Sequence, residues 1–444
     1  MYNIMIFHNR KTFFIILSAI VFIVLFFSNP QSMSMQSVDI NYADTAWMIV
    51  ASALVLLMTP GLAFFYGGMV SKKNVISTML QSFIALGVIS LLWVLFGFSL
   101  AFGDTVNGWG IIGNPFQYAF LNNLDANNSN IPYLLFALFQ LKFAIITPAI
   151  ITGSFAERIR FRSYLLFMIL FCVLIYAPLA HMTWAGDGLF ANLGDVIGIK
   201  GYGGLHVLDF AGGTVVHMSA GLAALAGALY LGKRKKEKTE PANIPFIILG
   251  TGLLWFGWFG FNAGSALAAN YDAVIAFANT NIASASSMIT WVLFDRFLNK
   301  KISAVGACIG AIVGLVAITP AAGFVTINHS IVIGFVTALI CNLAMVKIKK
   351  SNKIDDTLDV FASHGIGGIC GMILTAVFAK DVGLVYGEVN TFILHIAASI
   401  AVIIFAFFGS LLIYKIVDII LPLRVRDDQE ERGLDLSQHG EEVV

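Results

Sequence analysis

Two segments of the chain share one pattern: they read Asp209-Phe-Ala-Gly-Gly-Thr-Val-Val-His217-Met-Ser-Ala-Gly and Asp359-Val-Phe-Ala-Ser-His364-Gly-Ile-Gly-Gly-Ile-Cys-Gly. Each begins with an aspartate and carries a single histidine in a run of small and apolar residues. If these runs cross a membrane, each imidazole is a costly group there, and such groups are functional candidates. The fold therefore depends on whether the chain is a membrane protein and on how the two segments are oriented.

The composition of the 444-residue chain excludes a soluble globular protein. Hydrophobic residues make up 58% and charged residues 11%, whereas soluble domains have roughly 25% charged residues. The mean hydropathy is +0.86, which predicts a polytopic protein in a lipid bilayer. The net charge of +1 creates no field that would attract nucleic acid. The four cysteines lie in apolar runs at unpatterned spacings, which predicts buried thiols rather than disulfides or metal ligands.

Eleven apolar stretches after residue 44 are each long enough to cross a bilayer as a helix. They span residues 46–70, 75–102, 131–156, 163–183, 207–231, 243–268, 272–297, 303–322, 329–347, 359–379 and 391–415. One set of alternate connections, with the C-terminal tail, holds 21 lysines and arginines, and the opposite set holds only Lys200 and Lys380. Basic connections stay on the cytoplasmic side. We therefore predict an all-α membrane protein with eleven transmembrane helices, a mature N-terminus outside and a cytoplasmic C-terminus.

The fifth and tenth stretches carry the two matched segments and lie five helices apart. Because five is odd, they cross the membrane in opposite directions, which predicts a five-plus-five inverted repeat with the eleventh helix left over. At 1.5 Å per residue, His217 lies roughly 12 Å from the start of its segment and His364 roughly 8 Å from the start of its own. In a core about 30 Å thick, we expect the two imidazoles to approach each other near the midplane.

A single histidine on an apolar helix is more often a satisfied packing residue than a functional group. We interpret His181 and His395 in that way, whereas the matched positions of the other two favour function. Asp209 and Asp359 are interpreted as helix N-caps. Asp209 would add, at most, a favourable field to a nearby cation site.

The two ends of the chain differ from the membrane domain, which we assign to residues 42–415. Residues 1–36 contain basic residues, an apolar run and then small polar residues, a pattern typical of a signal peptide that is cleaved outside. An uncleaved twelfth helix is the alternative. Residues 416–444 form a charge-rich tail, and charge alone predicts a solvated and partly disordered end.

Seven segments together resemble the ammonium transporter family, which includes the methylammonium permeases and the Rhesus proteins. They are Thr59-Pro-Gly-Leu-Ala-Phe-Phe-Tyr-Gly-Gly-Met-Val-Ser-Lys-Lys-Asn74, Phe139-Gln140 followed by Phe143, Ala156-Glu-Arg158, Ala180-His-Met-Thr-Trp184, residues 209–217, Gly257-Trp-Phe-Gly-Phe-Asn-Ala-Gly-Ser265 and Asp355-Asp-Thr-Leu-Asp-Val-Phe-Ala-Ser-His-Gly365. Each segment alone is only moderately specific, but the ordered set is highly specific. The likeness covers essentially residues 42–444.

The resemblance implies a homotrimer in the cell (inner) membrane with one ammonium-conducting pore per subunit, and neither an enzyme nor a protein with a cofactor or metal. It implies an outer vestibule, a gate of two stacked rings, a pore with two histidines, and supporting neighbours. The vestibule residues would be Phe143, Trp184 and Ser265, and the gate would be formed by Phe143 and Phe261. The pore histidines would be His217 and His364. The supporting neighbours would be Asp209, Phe139, Gln140, Trp258 and Asp359. The tail resembles those that accompany regulation by a PII-type nitrogen regulatory protein at the cytoplasmic mouth.

The chemistry of the expected substrate agrees with these residue types. Aromatic faces attract an ammonium or methylammonium cation, but full dehydration of a small cation costs on the order of 20 kcal/mol. Neutral ammonia pays a polar-group penalty of only a few kcal/mol. We therefore expect the cation to be captured outside, deprotonated and passed as ammonia along the two imidazoles, while potassium, which has no proton to lose, is excluded.

Two other functions remain open, and one residue departs from the expected pattern. An ammonium sensor with little transport would use the same fold, although sensors usually append a signalling domain and the tail is short. A secondary transporter for organic cations or amino acids would need a wider cavity with unwound helices. Lys142 stands beside the gate residue Phe143, and we expect its side chain to face away from the pore and to pair with carbonyls or a carboxylate.

Overall fold

The computed structural model describes Ser18 and residues 40–124, 130–199, 206–235, 240–351 and 353–443. Apart from Ser18, the segment 1–36 that is predicted as a signal peptide lies outside the described residues. The described chain is helical, and its only bridge contacts are two isolated ones. The helices of at least 15 residues are α1 (Tyr42–Met69), α2 (Lys72–Phe102), α3 (Tyr133–Ser154), α4 (Phe161–Trp184), α5 (Gly213–Leu231), α6 (Ile244–Gly264), α7 (Tyr271–Phe297), α8 (Ala304–Ile318), α9 (Ile327–Ser351), α10 (Phe361–Phe378) and α11 (Val389–Ile420).

The all-helical membrane fold is confirmed, although two helices differ from the others. Nine helices in the described part of the chain are long and apolar enough to cross a membrane. The helix α8 is apolar but has only 15 residues. The helix α7 has 27 residues, and its mean hydropathy is lower because it contains several polar residues. These include the buried side chains of Asn279, Thr280 and Ser284. The helices follow the predicted order, and the count of eleven membrane crossings stays a prediction.

Equivalent helices of the two predicted halves pack against each other. The first helices, α1 and α6, meet at glycines, because a Cβ on Gly250 would lie 2.6 Å from the carbonyl oxygen of Gly61. The fifth helices, α5 and α10, come even closer, because a Cβ on Gly221 would collide with the backbone nitrogen of Gly365. Only glycine permits such an approach between helix backbones. This pairing of α1 with α6 and of α5 with α10 agrees with an inverted repeat.

The largest differences from the predicted boundaries occur in α5 and α11. The helix α5 begins at Gly213 rather than near residue 207, because the residues before it form the cap described below. The helix α11 continues to Ile420, five residues past its predicted end. Its last turn is held by Asp418, whose carboxylate accepts hydrogen bonds from the backbone N–H of Leu423 and the hydroxyl of Tyr230.

The C-terminal tail packs on one face of the helix bundle. We call this the basic face; it is formed by the α1–α2, α3–α4, α5–α6, α7–α8 and α9–α10 connections. The tail contains the short helix α12 (Asp427–Arg432) and one further turn, Asp435–His439. Its backbone pairs with the α3–α4 connection, since the N–H of Val425 donates to the carbonyl of Arg158 at 3.0 Å. The prediction of a partly disordered end is therefore wrong for the described tail residues.

Candidate functional site

The two matched histidines lie next to each other in the centre of the bundle. Nδ1 of His217 is 3.2 Å from Nδ1 of His364, and the ring centroids are 5.3 Å apart. Both side chains are buried. The close crossing of α5 and α10 at Gly221 and Gly365 produces this contact, because it brings together the helix turns that carry the two rings. The predicted approach of the imidazoles is thus present in the structure.

Both histidines also occupy the same local structure. Each lies in a π-helical turn at the beginning of its helix, Gly213–Met218 in α5 and Phe361–Ile366 in α10. Such wide turns occur frequently at functional sites. At α5 the cap is Asp209, whose carboxylate accepts hydrogen bonds from three successive backbone N–H groups at 2.6–2.8 Å. The first of these belongs to Gly212, whose φ of 113° favours glycine.

The expected cap at the other helix is wrong for Asp359. The backbone N–H of Phe361 donates instead to Asp356, at 2.7 Å. Asp359 has a φ of 59°, and its carboxylate forms an ion pair with Lys349 of α9 at 2.6 Å. Three acidic residues stand before α10, and the left-handed backbone of Asp359 leaves the capping position to Asp356. Asp359 therefore connects α10 to α9 rather than capping its own helix.

A column of aromatic rings leads from the opposite end of the bundle to the histidines. The ring centroids of Trp184 and Phe143 are 5.9 Å apart, and those of Phe143 and Phe261 are 4.2 Å apart. Phe261 in turn lies 6.0 Å from His217 with nearly parallel planes. The indole N–H of Trp184 donates to the carbonyl of Asp209 at 3.0 Å, which fixes that ring beside the cap of α5.

The supporting residues surround this column. Phe139 contacts Phe143 edge to face at 4.9 Å. Trp258 is stacked on the His217 ring at 5.4 Å. The hydroxyl of Ser265 donates to the carbonyl of Phe261, one turn nearer the Trp184 end. The amide oxygen of Gln140 is buried without a hydrogen-bond partner among the described residues.

The space beside the histidines is narrow and apolar. A narrow cavity, with only about 10 Å³ of room for the centre of a water-sized molecule, is lined by aliphatic and aromatic side chains together with both imidazoles. Lys142 does not line this cavity, as expected. Its expected pairing is absent, because this half-buried side chain makes no ion pair or hydrogen bond within the described residues.

The remaining two histidines of the sequence prediction have structural partners. Nε2 of His395 accepts the backbone N–H of Leu208 at 2.9 Å, and its Nδ1 lies 3.0 Å from the carbonyl of Met372. The interpretation of His395 as a packing residue is confirmed. Nδ1 of His181 lies 3.2 Å from the carbonyl of Ala101, which holds α4 against the end of α2.

A buried ion-pair network at the basic face was not predicted from the sequence. The guanidinium of Arg234 lies 2.7 Å from Glu157 and 2.8 Å from Asp355. Glu157 also accepts hydrogen bonds from the backbone N–H of Ser71 and the amide of Asn74. The network therefore joins the α1–α2, α3–α4, α5–α6 and α9–α10 connections. Glu157 and Asp355 stand in recognisable segments, and that position was the only signal in the sequence.

The pKa values of the carboxyl groups at this face are shifted in opposite directions. Burial alone would raise the pKa of Glu157, but hydrogen bonds from Ser71 and the charge of Arg234 hold that pKa below its ordinary value. Burial opposes the ionised form of Asp355 as well, yet the hydrogen bond from Arg234 and the charge of Arg158 keep its pKa low. Burial, together with the charge of Asp359, raises the pKa of Asp356 to about 7, and the backbone N–H of Phe361 and the charge of Arg158 offset this only in part.

The tail is attached to this network and to the starts of two helices. Glu430 accepts the backbone N–H of Lys235 and pairs with Arg424 at 2.8 Å. The carboxylate of Asp435 accepts the backbone N–H groups of Ile76 and Ser77, and so caps α2 from the far end of the chain. The side chain of Gln438 accepts the first N–H of α4 in the same way.

A bundle of apolar helices with a ring column that ends at two buried imidazoles is typical of a membrane transport protein rather than an enzyme. The family model described as Ammonium Transporter Family matches residues 46–444. The chain belongs to this family.

Relatives and solved structures agree with this assignment over nearly the whole chain. An ammonium transporter of Bacillus subtilis (strain 168) is 45% identical over 412 residues, which cover 90% of this chain and 98% of the relative. The crystal structure of Candida albicans Mep2 matches with a TM-score of 0.80 and 35% identity over 88% of both chains. A structure described as a sensor Amt protein matches with a TM-score of 0.81 and 30% identity, over 89% of this chain and 98% of that one.

Proposed function

We propose that the chain transports ammonium across the cell membrane, and that the cation is captured at the ring column, deprotonated and passed as ammonia along His217 and His364. The observation that carries the proposal is the Nδ1–Nδ1 contact of 3.2 Å between two buried imidazoles at the end of that column. Two histidines that served only for packing would have no reason to share a polar contact beside an apolar cavity.

Capture at the outer end depends on Trp184, Phe143 and Ser265. A cation–π contact is worth about 2 kcal/mol per desolvated ring, and a hydrogen bond to a charged donor adds about 1.5–3 kcal/mol. Two rings and one hydroxyl therefore supply roughly 4–6 kcal/mol, far less than the ~20 kcal/mol that dehydration of a small cation costs. The vestibule can hold ammonium, but the apolar cavity cannot accept it as a cation.

Transfer of one proton from ammonium to the imidazole pair, which can relay it separately from the ammonia, removes this mismatch. Neutral ammonia costs only a few kcal/mol to dehydrate, and an imidazole can exchange hydrogen bonds with its nitrogen. The contacting rings of Phe143 and Phe261 separate the wet vestibule from the cavity, and they act as the gate. Potassium meets the full dehydration cost at this gate, so selection rests on the chemistry of the substrate rather than on its size alone.

The placement of the protein in the cell is part of the same proposal. The basic face lies in the cytoplasm, the Trp184 end faces outward, and three copies form a trimer in the inner membrane with one pore each. A PII-type regulatory protein would dock at the basic face, where the tail and the connections Lys233–Lys238 and Lys347–Lys353 supply charged groups. Removal of residues 424–444 should leave conduction intact and weaken control by such a partner.

A sensor function is less well supported than transport. The structure described as a sensor shares the fold, but the named sequence relative with the higher identity is a transporter. The same uptake measurement separates the two functions. A sensor with little transport would bind methylammonium in the vestibule without accumulating it inside liposomes.

Uptake of labelled methylammonium by the purified, reconstituted protein tests the proposal. We expect wild-type liposomes to accumulate the label and Trp184→Leu to reduce both uptake at low concentration and its preference over potassium, by roughly thirtyfold for the loss of one desolvated ring contact. Trp109→Leu is the matched control, because this tryptophan is 68% exposed and lies outside the column. Equal uptake and selectivity in both variants would refute the vestibule, and no uptake in the wild type would refute transport.

A further inference from the structure

The hydroxyl of Thr319, at the end of α8, lies within hydrogen-bond distance of three buried groups. Its Oγ1 is 2.7 Å from the carbonyl oxygen of Leu315, 2.9 Å from the indole nitrogen of Trp258 and 3.3 Å from Nε2 of His217. The side chains of Thr319 and His217 are completely buried, and Trp258 is only 2% exposed. Because these groups are buried and in contact with one another, the direction of each hydrogen bond follows from counting protons.

The count leaves one arrangement at Thr319. The indole N–H of Trp258 is a donor only, so the hydroxyl oxygen accepts it. The hydroxyl has a single proton, and the carbonyl of Leu315 can only accept, at the shortest of the three distances. The contact with His217 must then have the imidazole as donor, which places a proton on its Nε2.

This proton determines the tautomers of both histidines in their neutral state. Because Nε2 of His217 carries the proton, its Nδ1 is a bare acceptor. The 3.2 Å contact between the two Nδ1 atoms then requires His364 to be the donor, with its proton on Nδ1. Of the four imidazole nitrogens, Nε2 of His364 is left as an acceptor without a hydrogen-bond partner within the described residues.

We propose that Thr319 is a positioning residue for conduction: it sets the tautomers of the paired histidines, so that Nε2 of His364 is the atom that accepts a hydrogen bond from the passing nitrogen. The inference rests on the proposed conduction of ammonia along these histidines, and it adds which imidazole nitrogen accepts the hydrogen bond from the passing molecule. His217 is anchored by Thr319 and by stacking on Trp258, whereas His364, whose Nε2 has no hydrogen-bond partner within the described residues, lines the cavity beside it. The two histidines therefore have different tasks.

Solid-state NMR on the full chain in liposomes, labelled with ¹⁵N-histidine, measures the tautomers directly. The resonances of the pair are identified by their loss in His217→Asn and His364→Asn. In the wild type we expect a protonated Nε2 on His217 and a protonated Nδ1 on His364. Thr319→Val removes the acceptor and should give a mixture of tautomers, whereas Thr319→Ser keeps the hydroxyl and should restore the wild-type pattern.

Uptake of methylammonium by the same liposomes gives the second readout. We expect Thr319→Val to lower the rate roughly tenfold, the size of one lost hydrogen bond, and Thr319→Ser to stay within about twofold of the wild type. Thr375→Val is the control, because this buried threonine of α10 bonds only to the carbonyl of Gly371 in its own helix. It should change neither the spectrum nor the rate.

Two results would overturn the inference. One is a wild-type spectrum with the proton of His217 on Nδ1. The other is a Thr319→Val spectrum and rate equal to those of the wild type. Neither result affects the proposed function as long as wild-type liposomes take up methylammonium. If the wild type shows no uptake, the proposed function is refuted, and the spectrum alone then decides the tautomers.

Discussion

The pore and the basic face of this chain treat buried polar groups in opposite ways. The column from Trp184 to His364 consists of rings in contact, and its few hydrogen bonds join neutral groups such as Thr319 and the imidazoles. The basic face buries full charges, with Arg234 held between two carboxylates. One region avoids charge and the other concentrates it.

This difference agrees with the role that we propose for each region. A fixed negative charge beside the cavity would lower the cost of admitting any cation and would remove the reason for ammonium to lose its proton. At the basic face the charges join four connections and the tail, and a buried pair is costly to break because the remaining partner is left without compensation. Neutral contacts therefore support selection, and ion pairs support assembly.

Placing a charge in the pore should have the largest effect. A carboxylate at about 4 Å attracts a cation by roughly 4 kcal/mol in a protein environment, which corresponds to about a thousandfold in rate. We therefore expect His217→Asp and His364→Asp to admit potassium, recorded as electrical current across liposomes under ammonium and potassium gradients. The neutral variants His217→Asn and His364→Asn are the controls and should still reject potassium. Wild-type currents without potassium permeability in both aspartate variants would refute the paired-imidazole pore.

Removing charge from the basic face should have the next largest effect, on stability rather than on selectivity. Arg234→Ala removes the guanidinium that pairs with the buried carboxylates of Glu157 and Asp355, and breaking a buried pair costs about 3–5 kcal/mol. We expect a clear decrease in the melting temperature of the purified protein. Arg426→Ala removes an ion pair whose side chains are both mostly exposed and should leave the melting temperature unchanged. Equal melting temperatures for the two variants would show that the network does not hold the connections together.

The titration of Asp356 tests the same region by pH. Its folded-state pKa is raised from its ordinary value to about 7, so the folded chain keeps a proton that the unfolded chain loses as the pH rises above about 4. Its contribution to stability is therefore full at low pH and falls as the pH rises towards 7. Asp356→Asn keeps an oxygen to cap Phe361 but cannot titrate, and its melting temperature should lack this decline. Parallel pH profiles for the two proteins would contradict the raised pKa.

The smallest effect is expected at the contact between the tail and α2. Asp435→Ala removes the cap from Ile76 and Ser77, and loss of an N-cap costs about 1 kcal/mol. Limited proteolysis should then cut the tail faster, while methylammonium uptake stays at the wild-type level. Glu442→Ala, an exposed change a few residues further along, should alter neither. A tail that is equally protected in both variants would contradict the assigned cap.

The geometry of the ring column and the histidine pair was predictable, because these residues stand in short, ordered segments and because the direction of each helix follows from counting crossings. His217 and His364 are 147 residues apart, yet the separation of their helices by five, an odd number, was enough to expect their approach. The role of His395 followed from the general rule for buried histidines. Neither argument required knowledge of any side-chain conformation.

The basic face was not predictable in the same way. Glu157 and Asp355 lie 77 and 121 residues from Arg234, and in the sequence Arg234 is only one of many basic residues in alternate connections. The wrong cap at α10 has a similar cause, because the choice between Asp356 and Asp359 depends on a left-handed backbone angle. The sequence pattern could not show whether Lys142 has a partner, because nothing in the sequence indicates which group would reach its side chain.

The caps that the tail supplies to α2 and α4 also impose an order on biosynthesis. The contact between Asn74 and Leu434 spans 360 residues, which a ribosome adding about 5–20 residues per second covers in roughly 20–70 s. During that interval α2 and α4 are already synthesised, but their first N–H groups have no side-chain cap from Asp435 or Gln438. Only a chain translated as far as Gln438 can form both caps, so these two helices reach their final hydrogen bonding long after their own synthesis.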